Sequence, residues 1–175
     1  SPEILIWDVR SGKVTRTLTA GGVTRALVYS PDGRYLATSG DGGTIILWDA
    51  ATGAEIRQFV GHGTTVERAL AFSHDGRYLA SGSMDRTARI WEVATGEQIR
   101  QFSGYTDGIA SVAFAPDNSR LLIVTADGTV QMTYTRLQDA IADLCGRLSE
   151  DLDPATRARY AITDPGPTCA GTEKP

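Results

Sequence analysis

"SHDGRYLASGSMDRTARIWE", residues Ser73 to Glu92, is the stretch whose reading decides the fold. It carries a serine, an aspartate and a tryptophan, and His62 lies a short way upstream. Those residue types can assemble a hydrolytic triad, or they can tie together a fold. The stretch is not unique, however. Residues 30–50 read "SPDGRYLATSGDGGTIILWDA" and residues 115–134 read "APDNSRLLIVTADGTVQMTY". Trp7, Trp48 and Trp91 stand 41 and 43 residues apart, and one further period falls on Thr133. A catalytic site is normally built once and a structural unit many times, so this spacing predicts a repeat architecture.

Inside one period, "VERALAFS", "RYLASGS", "TARIWEV" and "EQIRQFS" alternate apolar and polar residues or form short apolar runs. They read as four successive strands, broken by the turn signals "HDG", "MDR" and "ATG". Helix is disfavoured by the β-branched and aromatic content and by the regular glycine and proline breaks. Four short antiparallel strands make one twisted sheet that cannot bury both faces alone, so such sheets stack as blades around an axis. "ILIWDV" and "KVTRTLT" supply a third and a fourth strand. Two complete sets follow at residues 23–60 and 66–103, and "IASVAFA", "RLLIVTA" and "TVQMTYT" supply three more. The expected fold is all-β, with about 13 strands arranged as half a blade, two full blades and one three-stranded blade.

Trp-Asp at 7–8 and 48–49, Trp-Glu at 91–92, Gly-His at 61–62 and "SPDGRYLA" at 30–37 recur in register over residues 3–135. In these marks the chain resembles the WD-repeat (WD40) β-propellers. The resemblance implies that each sequence repeat is offset from its blade, its first strand being the outer strand of the preceding one. It also implies a hydrogen-bonded tetrad of His, Ser or Thr, Asp and Trp in each blade, complete here only as His62, Ser81, Asp85 and Trp91. The preceding repeat keeps Thr38 and Trp48 but has Gly42 at the aspartate position and no histidine. The following one keeps Asp127 but has Tyr105, Ile123 and Thr133 at the other positions. A buried Ser or Asp without partners costs roughly 1–3 kcal/mol, whereas a fully bonded chain rigidifies the sheet. The structural role is therefore expected over a hydrolytic Ser-His-Asp triad, which belongs in a single cleft with an oxyanion hole. Nothing resembles a "GxSxG" elbow. No catalytic residue, metal site or cofactor is expected, and "GDGG" at 40–43 sits at a strand turn with no helix to cradle a phosphate.

Thirteen strands do not close a ring, since propellers typically use four to eight four-stranded blades. Three completions are open: further blades from the same parent chain, self-assembly of copies, or docking onto a different protein. An unclosed stack leaves apolar blade faces and unpaired edges in water. The extra residue between His62 and Phe72, compared with Tyr105 to Phe114, predicts a bulge. Arg25 and Arg68 recur in that strand and are expected to pair with carboxylates on neighbouring blades. His74 stands in a turn at the place of Pro31 and Pro116 and is expected to be solvated.

The 175 residues are 41% hydrophobic with a net charge of −4, which supports neither nucleic-acid nor membrane-surface binding. No apolar run approaches the roughly 20 residues of a membrane span. Both cysteines, Cys145 and Cys169, lie beyond the repeats. They form either a disulfide, worth roughly 3 kcal/mol, or a packed thiol and a free one in a reducing cytosol. In the tail, residues 136–175, Leu137, Ile141, Leu144, Cys145 and Leu148 recur at helical spacing. Asp153-Pro154 starts a second short helix. With "DLDPATRARY" and a closing "PTC", this tail resembles the C-terminal segment of large bacterial WD-repeat proteins linked to NTPase-switch (STAND-type), protease or kinase modules. Ala158 departs from the aromatic residue usual there.

The expected function is a non-catalytic, cytoplasmic protein–protein interaction module, a scaffold or sensor segment of a larger signalling or defence-type protein. The alternatives are a half-propeller that closes by homo-oligomerisation and, from another class, a propeller-based hydrolase. By family analogy the partner-binding residues are Gly63, Thr65 and Met84, with Thr106, Gly108 and Ala126 in the next repeat.

Overall fold

The computed structural model describes residues 3–66 and 68–147. Alternating apolar residues and glycine- or aspartate-bearing turns fold them into four antiparallel sheets, each a meander in chain order. The first blade pairs β1 (Glu3–Asp8) with β2 (Lys13–Thr19). The second holds β3 (Thr24–Tyr29), β4 (Tyr35–Gly40), β5 (Ile45–Asp49) and β6 (Glu55–Phe59). The third holds β7 (Leu70–Phe72), β8 (Tyr78–Gly82), β9 (Ala88–Glu92) and β10 (Gln98–Phe102). The fourth holds β11 (Ile109–Phe114), β12 (Arg120–Thr125) and β13 (Val130–Tyr134), and a helix, α1 (Leu137–Arg147), follows. The result is the expected all-β stack of blades, followed among the described residues by one short helix.

The chain divides into two compact units after Thr133, with the blades in the first and α1 in the second. In α1, Leu137 is exposed and Ile141 half-buried. The pairing considered for Cys145 and Cys169, the second tail helix and Ala158 lie outside the described residues.

Because side chains alternate along a strand, each full blade feeds two seams. On β5, Ile46 and Trp48 face the first blade, where they pack with Leu18, Leu36, Ile4 and Ile6. Ile45 and Leu47 face the third blade and join Phe59, Phe72, Leu79 and Trp91. On β8, Leu79 belongs to that seam while Ala80 turns to the next, with Ile90, Ile109, Phe114, Leu121 and Ile123. Full burial of one such Leu or Ile stabilises by about 1.5–3 kcal/mol, and these seams hold the blades together.

The first turn of each full blade repeats one device. Ser73 Oγ donates to Asp75 Oδ1 at 2.6 Å and accepts from the Tyr78 amide at 2.9 Å, as Ser30 does with Asp32 and Tyr35. Asn118 takes φ +60° in the matching turn of the fourth blade, where Gly76 has +69°. His74 is exposed, and its amide donates to Asn118 Oδ1 at 2.7 Å.

The structure departs from expectation in the inner strand of the third blade. The strand expected over 66–73 is ordered as a strand only from Leu70, and Arg68 sits at φ +50°. A left-handed residue cannot continue a strand, so the extra residue shortens β7 rather than kinking it. Register shifts at the equivalent places in β3 and β11 are milder, between Thr24 and Ala26 and between Ile109 and Ser111. Arg25 Nε donates to Asp41 Oδ1 of its own blade at 3.0 Å.

Candidate functional site

Successive antiparallel strands put alternate turns at opposite ends of a blade. The turns between β4 and β5, β8 and β9, and β12 and β13 therefore share one end with the connections between blades. In the third blade that end is built on His62, which arrives from the connection after β6 and is 6% exposed. His62 Nδ1 stands 2.9 Å from Asp85 Oδ2, and Nε2 stands 2.8 Å from Ser81 Oγ. Trp91 Nε1 donates to the same Ser81 oxygen at 2.8 Å. The carboxylate beside Nδ1 fixes the proton there, so Nε2 accepts from the Ser81 hydroxyl and every polar atom of the chain is satisfied. The indole also stacks edge-on to the imidazole at 6.1 Å.

Asp85 gathers more than its histidine. It accepts from the Gly63 amide at 3.0 Å, and from the Thr87 amide and hydroxyl at 2.9 and 2.7 Å. Burial pushes its carboxyl up, but the bonds from Thr87, His62 and Gly63 outweigh this and hold its pKa at about 2. Burial pushes His62 below its ordinary value, against the opposing pull of Asp85. The imidazole is therefore neutral near neutral pH.

The same three residue types make a hydrolytic triad, and the distances suit one. Ser81 is 0% exposed and its oxygen already accepts from Trp91, so a substrate carbonyl has no approach without opening the blade. Among the described residues, no three His, Cys, Asp or Glu side chains are grouped to hold a metal, and no helix is long and apolar enough to cross a membrane.

The neighbouring blades carry partial versions. Trp48 Nε1 donates to Thr38 Oγ1 at 2.8 Å. In the fourth blade Ile123 is fully buried in the seam, and Tyr105 packs against the same cluster. Asp127 there accepts from Thr106 Oγ1 and the Thr129 amide, both at 2.9 Å, and from the Thr125 hydroxyl. Those bonds hold its carboxyl far below the usual range.

Above this frame the six loop residues fall at the same end but in different settings. Gly63, Thr106 and Ala126 are exposed, and Thr65 is half-buried. The Thr65 carbonyl accepts from the Met84 amide at 3.1 Å and from Ser83 Oγ at 2.9 Å. Met84 is 46% exposed and lies over Gly108: a methyl group added there would stand 2.6 Å from the Met84 sulfur. Gly108 is thus buried, and Met84 presents the surface that covers it.

None of the curated proteins compared with the chain matches it. Matches among solved structures number 1241 chains, too many for the fold to select an activity. One is the crystal structure of RRP9 WD40 repeats, with a TM-score of 0.63 and 25% sequence identity, covering 67% of this chain and 37% of that one. The chain thus spans little more than a third of that neighbour's length. The family model described as WD domain, G-beta repeat matches residues 12–49, 53–92 and 96–132. Three consecutive matches, each beginning with the outer strand of the preceding blade, leave one conclusion: the chain belongs to the WD40-repeat family, whose domains are generally non-catalytic interaction modules.

Proposed function

We propose that this chain is a protein–protein interaction module that meets its partner at the loop end carrying Met84, with Gly63, Thr65, Thr106 and Ala126 around it. The observation that carries the reading is Met84 itself, an unbranched apolar side chain 46% exposed on a rigid support. Its turn is pinned by the fully bonded Asp85, so little backbone freedom is lost when a partner docks. A thioether adapts its shape to an apolar partner surface at low cost. Gly108 contributes by letting Met84 lie flat, and makes no contact of its own.

In this reading the chain is a scaffold or sensor segment of a larger cytoplasmic signalling or defence-type protein. Residues 1–135 carry the blades and 136–175 a helical tail, whose resemblance to bacterial WD-repeat proteins supports that setting. Further blades from the parent chain or from another copy would cover Leu27 and Tyr29 of β3, which are 47% and 45% exposed.

The test is quantitative affinity capture with the wild-type chain, Met84→Lys and Thr106→Arg. A partner protein whose recovery drops about tenfold with both variants, and binds the purified chain directly, supports the reading. Partners recovered equally by all three overturn it.

A further inference from the structure

Arg16 in β2, Arg57 in β6 and Arg100 in β10 recur with the 41- and 43-residue spacing of the tryptophans. They do not find the same partners. Arg16 reaches across the first seam, and its Nε and Nη2 donate to the Ala51 carbonyl at 2.9 and 2.6 Å. Arg100 lies over the Phe102 ring at 4.9 Å. Arg57 reaches across the second seam to the turn equivalent to that of Ala51, where a methyl group added to Gly96 would stand 3.4 Å from its Cδ and Nη1. Its Nε is buried and meets no hydrogen-bond partner. Ala94, the counterpart of Ala51, instead lines an open cleft of about 470 Å³ beside it. That volume lies in the range of ligand pockets, about 300–1,000 Å³.

The cleft is amphipathic. Leu47 and Ile56 of the second blade and Val93 of the third wall it, Tyr35 and Arg77 reach it from the first turns of the two blades, and Arg57 stands between. Glu92 also borders it, with its carboxylate already accepting from Thr95 Oγ1 at 2.8 Å. A buried guanidinium N–H without an acceptor is destabilising, and a carboxylate is the acceptor its fork fits best. The chemistry on the walls asks for a carboxylate and an aliphatic group side by side.

We infer that the cleft between the second and third blades binds an extended peptide carrying an Asp or Glu side chain next to an aliphatic residue. Arg57 receives the carboxylate once its guanidinium turns to bring the buried Nε to the cleft, Arg77 adds a second positive charge at the mouth, and the aliphatic side chain lies against Ile56 and Val93. This site is at the end of the blades opposite Met84, because it is bordered by the turns after β7 and β9 and by Tyr35 at the start of β4. It therefore stands independently of the loop-end surface.

The test uses the full chain and the peptide acetyl-Ser-Glu-Leu-Glu-Ser-amide, with the Gln-for-Glu peptide as control. In ¹⁵N-edited spectra the Arg57 Nε–Hε resonance should move on titration, and the Gln peptide should bind about tenfold more weakly or not at all. Arg57→Lys, which keeps the charge but loses the fork, should weaken binding about tenfold, while Arg16→Lys leaves it unchanged. An unmoved Arg57 resonance at millimolar peptide, equal binding of the Gln peptide, or equal losses in both variants would overturn the inference. The resonance is read on the unmodified chain, so the outcome stands even where a variant folds poorly.

Discussion

Ser81 holds the third blade together with a single atom, because its oxygen donates to one buried ring and accepts from another. Ser81→Ala leaves both His62 Nε2 and Trp91 Nε1 without partners in a place water does not reach. We expect a loss of about 2–4 kcal/mol in urea unfolding, more than the 1–3 kcal/mol of one orphaned group. Thr38→Val in the second blade breaks only the Trp48 bond and should cost about half as much. The same chain of bonds carries a pH signature. The His62 pKa is lowered from 6.5 in the fold, so the unfolded chain takes up the proton first as the pH falls. Its contribution is whole above pH 6.5 and is lost as the pH drops through the folded value. Asp85, held at about 2 against 3.8, loses its share only between those two values. The urea midpoint should therefore fall between about pH 7.5 and about pH 5, and His62→Gln should flatten that segment. An unchanged slope in the variant would show that His62 does not titrate with unfolding.

Where elements meet, two adjacent glycines separate backbone strain from packing. Gly42 and Gly43 follow β4 at φ +88° and +77°, and a methyl group on Gly42 meets nothing within 4 Å. On Gly43 it would stand 2.6 Å from both the His62 and the Thr64 carbonyl oxygens of the next blade. Gly42→Ala should cost about 1–2 kcal/mol of left-handed strain, and Gly43→Ala at least about 1 kcal/mol beyond that, both read from urea midpoints. Equal losses would mean that the turn of the second blade does not press on the third. Elements of this kind were largely legible in the sequence. Period-two alternation assigns Ile45 and Leu47 to one seam and Ile46 and Trp48 to the other, and the recurring Asp-Gly turns mark where strands end. The bonding of His62, Ser81, Asp85 and Trp91 was legible only through the resemblance to WD-repeat proteins, since the neighbouring repeats keep no more of it than Thr38, Trp48 and Asp127. The short β7 was not, since one surplus residue does not say whether it bulges or turns left-handed, as Arg68 does. Nor was the state of Arg57. Its turn reads "EVATGE" against "DAATGA" at the first seam, and the Asp49 carboxylate bonds both the amide and the hydroxyl of Thr52. Glu92, one methylene longer, bonds only the Thr95 hydroxyl. No pattern rule reads an unpartnered Arg57 Nε from that change.

At the scale of the whole stack, the interior seams set the standard by which the outer faces are judged. Inside, Leu36, Phe59, Leu79, Leu121 and Ile123 are fully buried between blades. Tyr29 pairs across the sheet with Leu36 and so shares its face, yet it is 45% exposed, and Leu27 two residues earlier is 47% exposed. Trp7 of β1 is 55% exposed, and Val130 and Met132 of β13 are 61% and 56% exposed. These are seam residues by type, standing where a seam has only one side among the described residues. Apolar area of that kind drives association unless it is covered. Light scattering of the 175-residue chain should therefore show a mass that rises with concentration. Leu27→Lys with Tyr29→Lys should lower that association, because each ammonium must stay hydrated and so keeps a second apolar sheet from closing on β3. Met84→Lys, on a loop of the third blade, should leave it unchanged. The contrast matters more than the association alone: loss with Met84→Lys would mean that copies meet through the partner surface. A chain that stays monomeric at about 100 μM, well above the micromolar range of specific contacts, would mean that β3 needs no further blade.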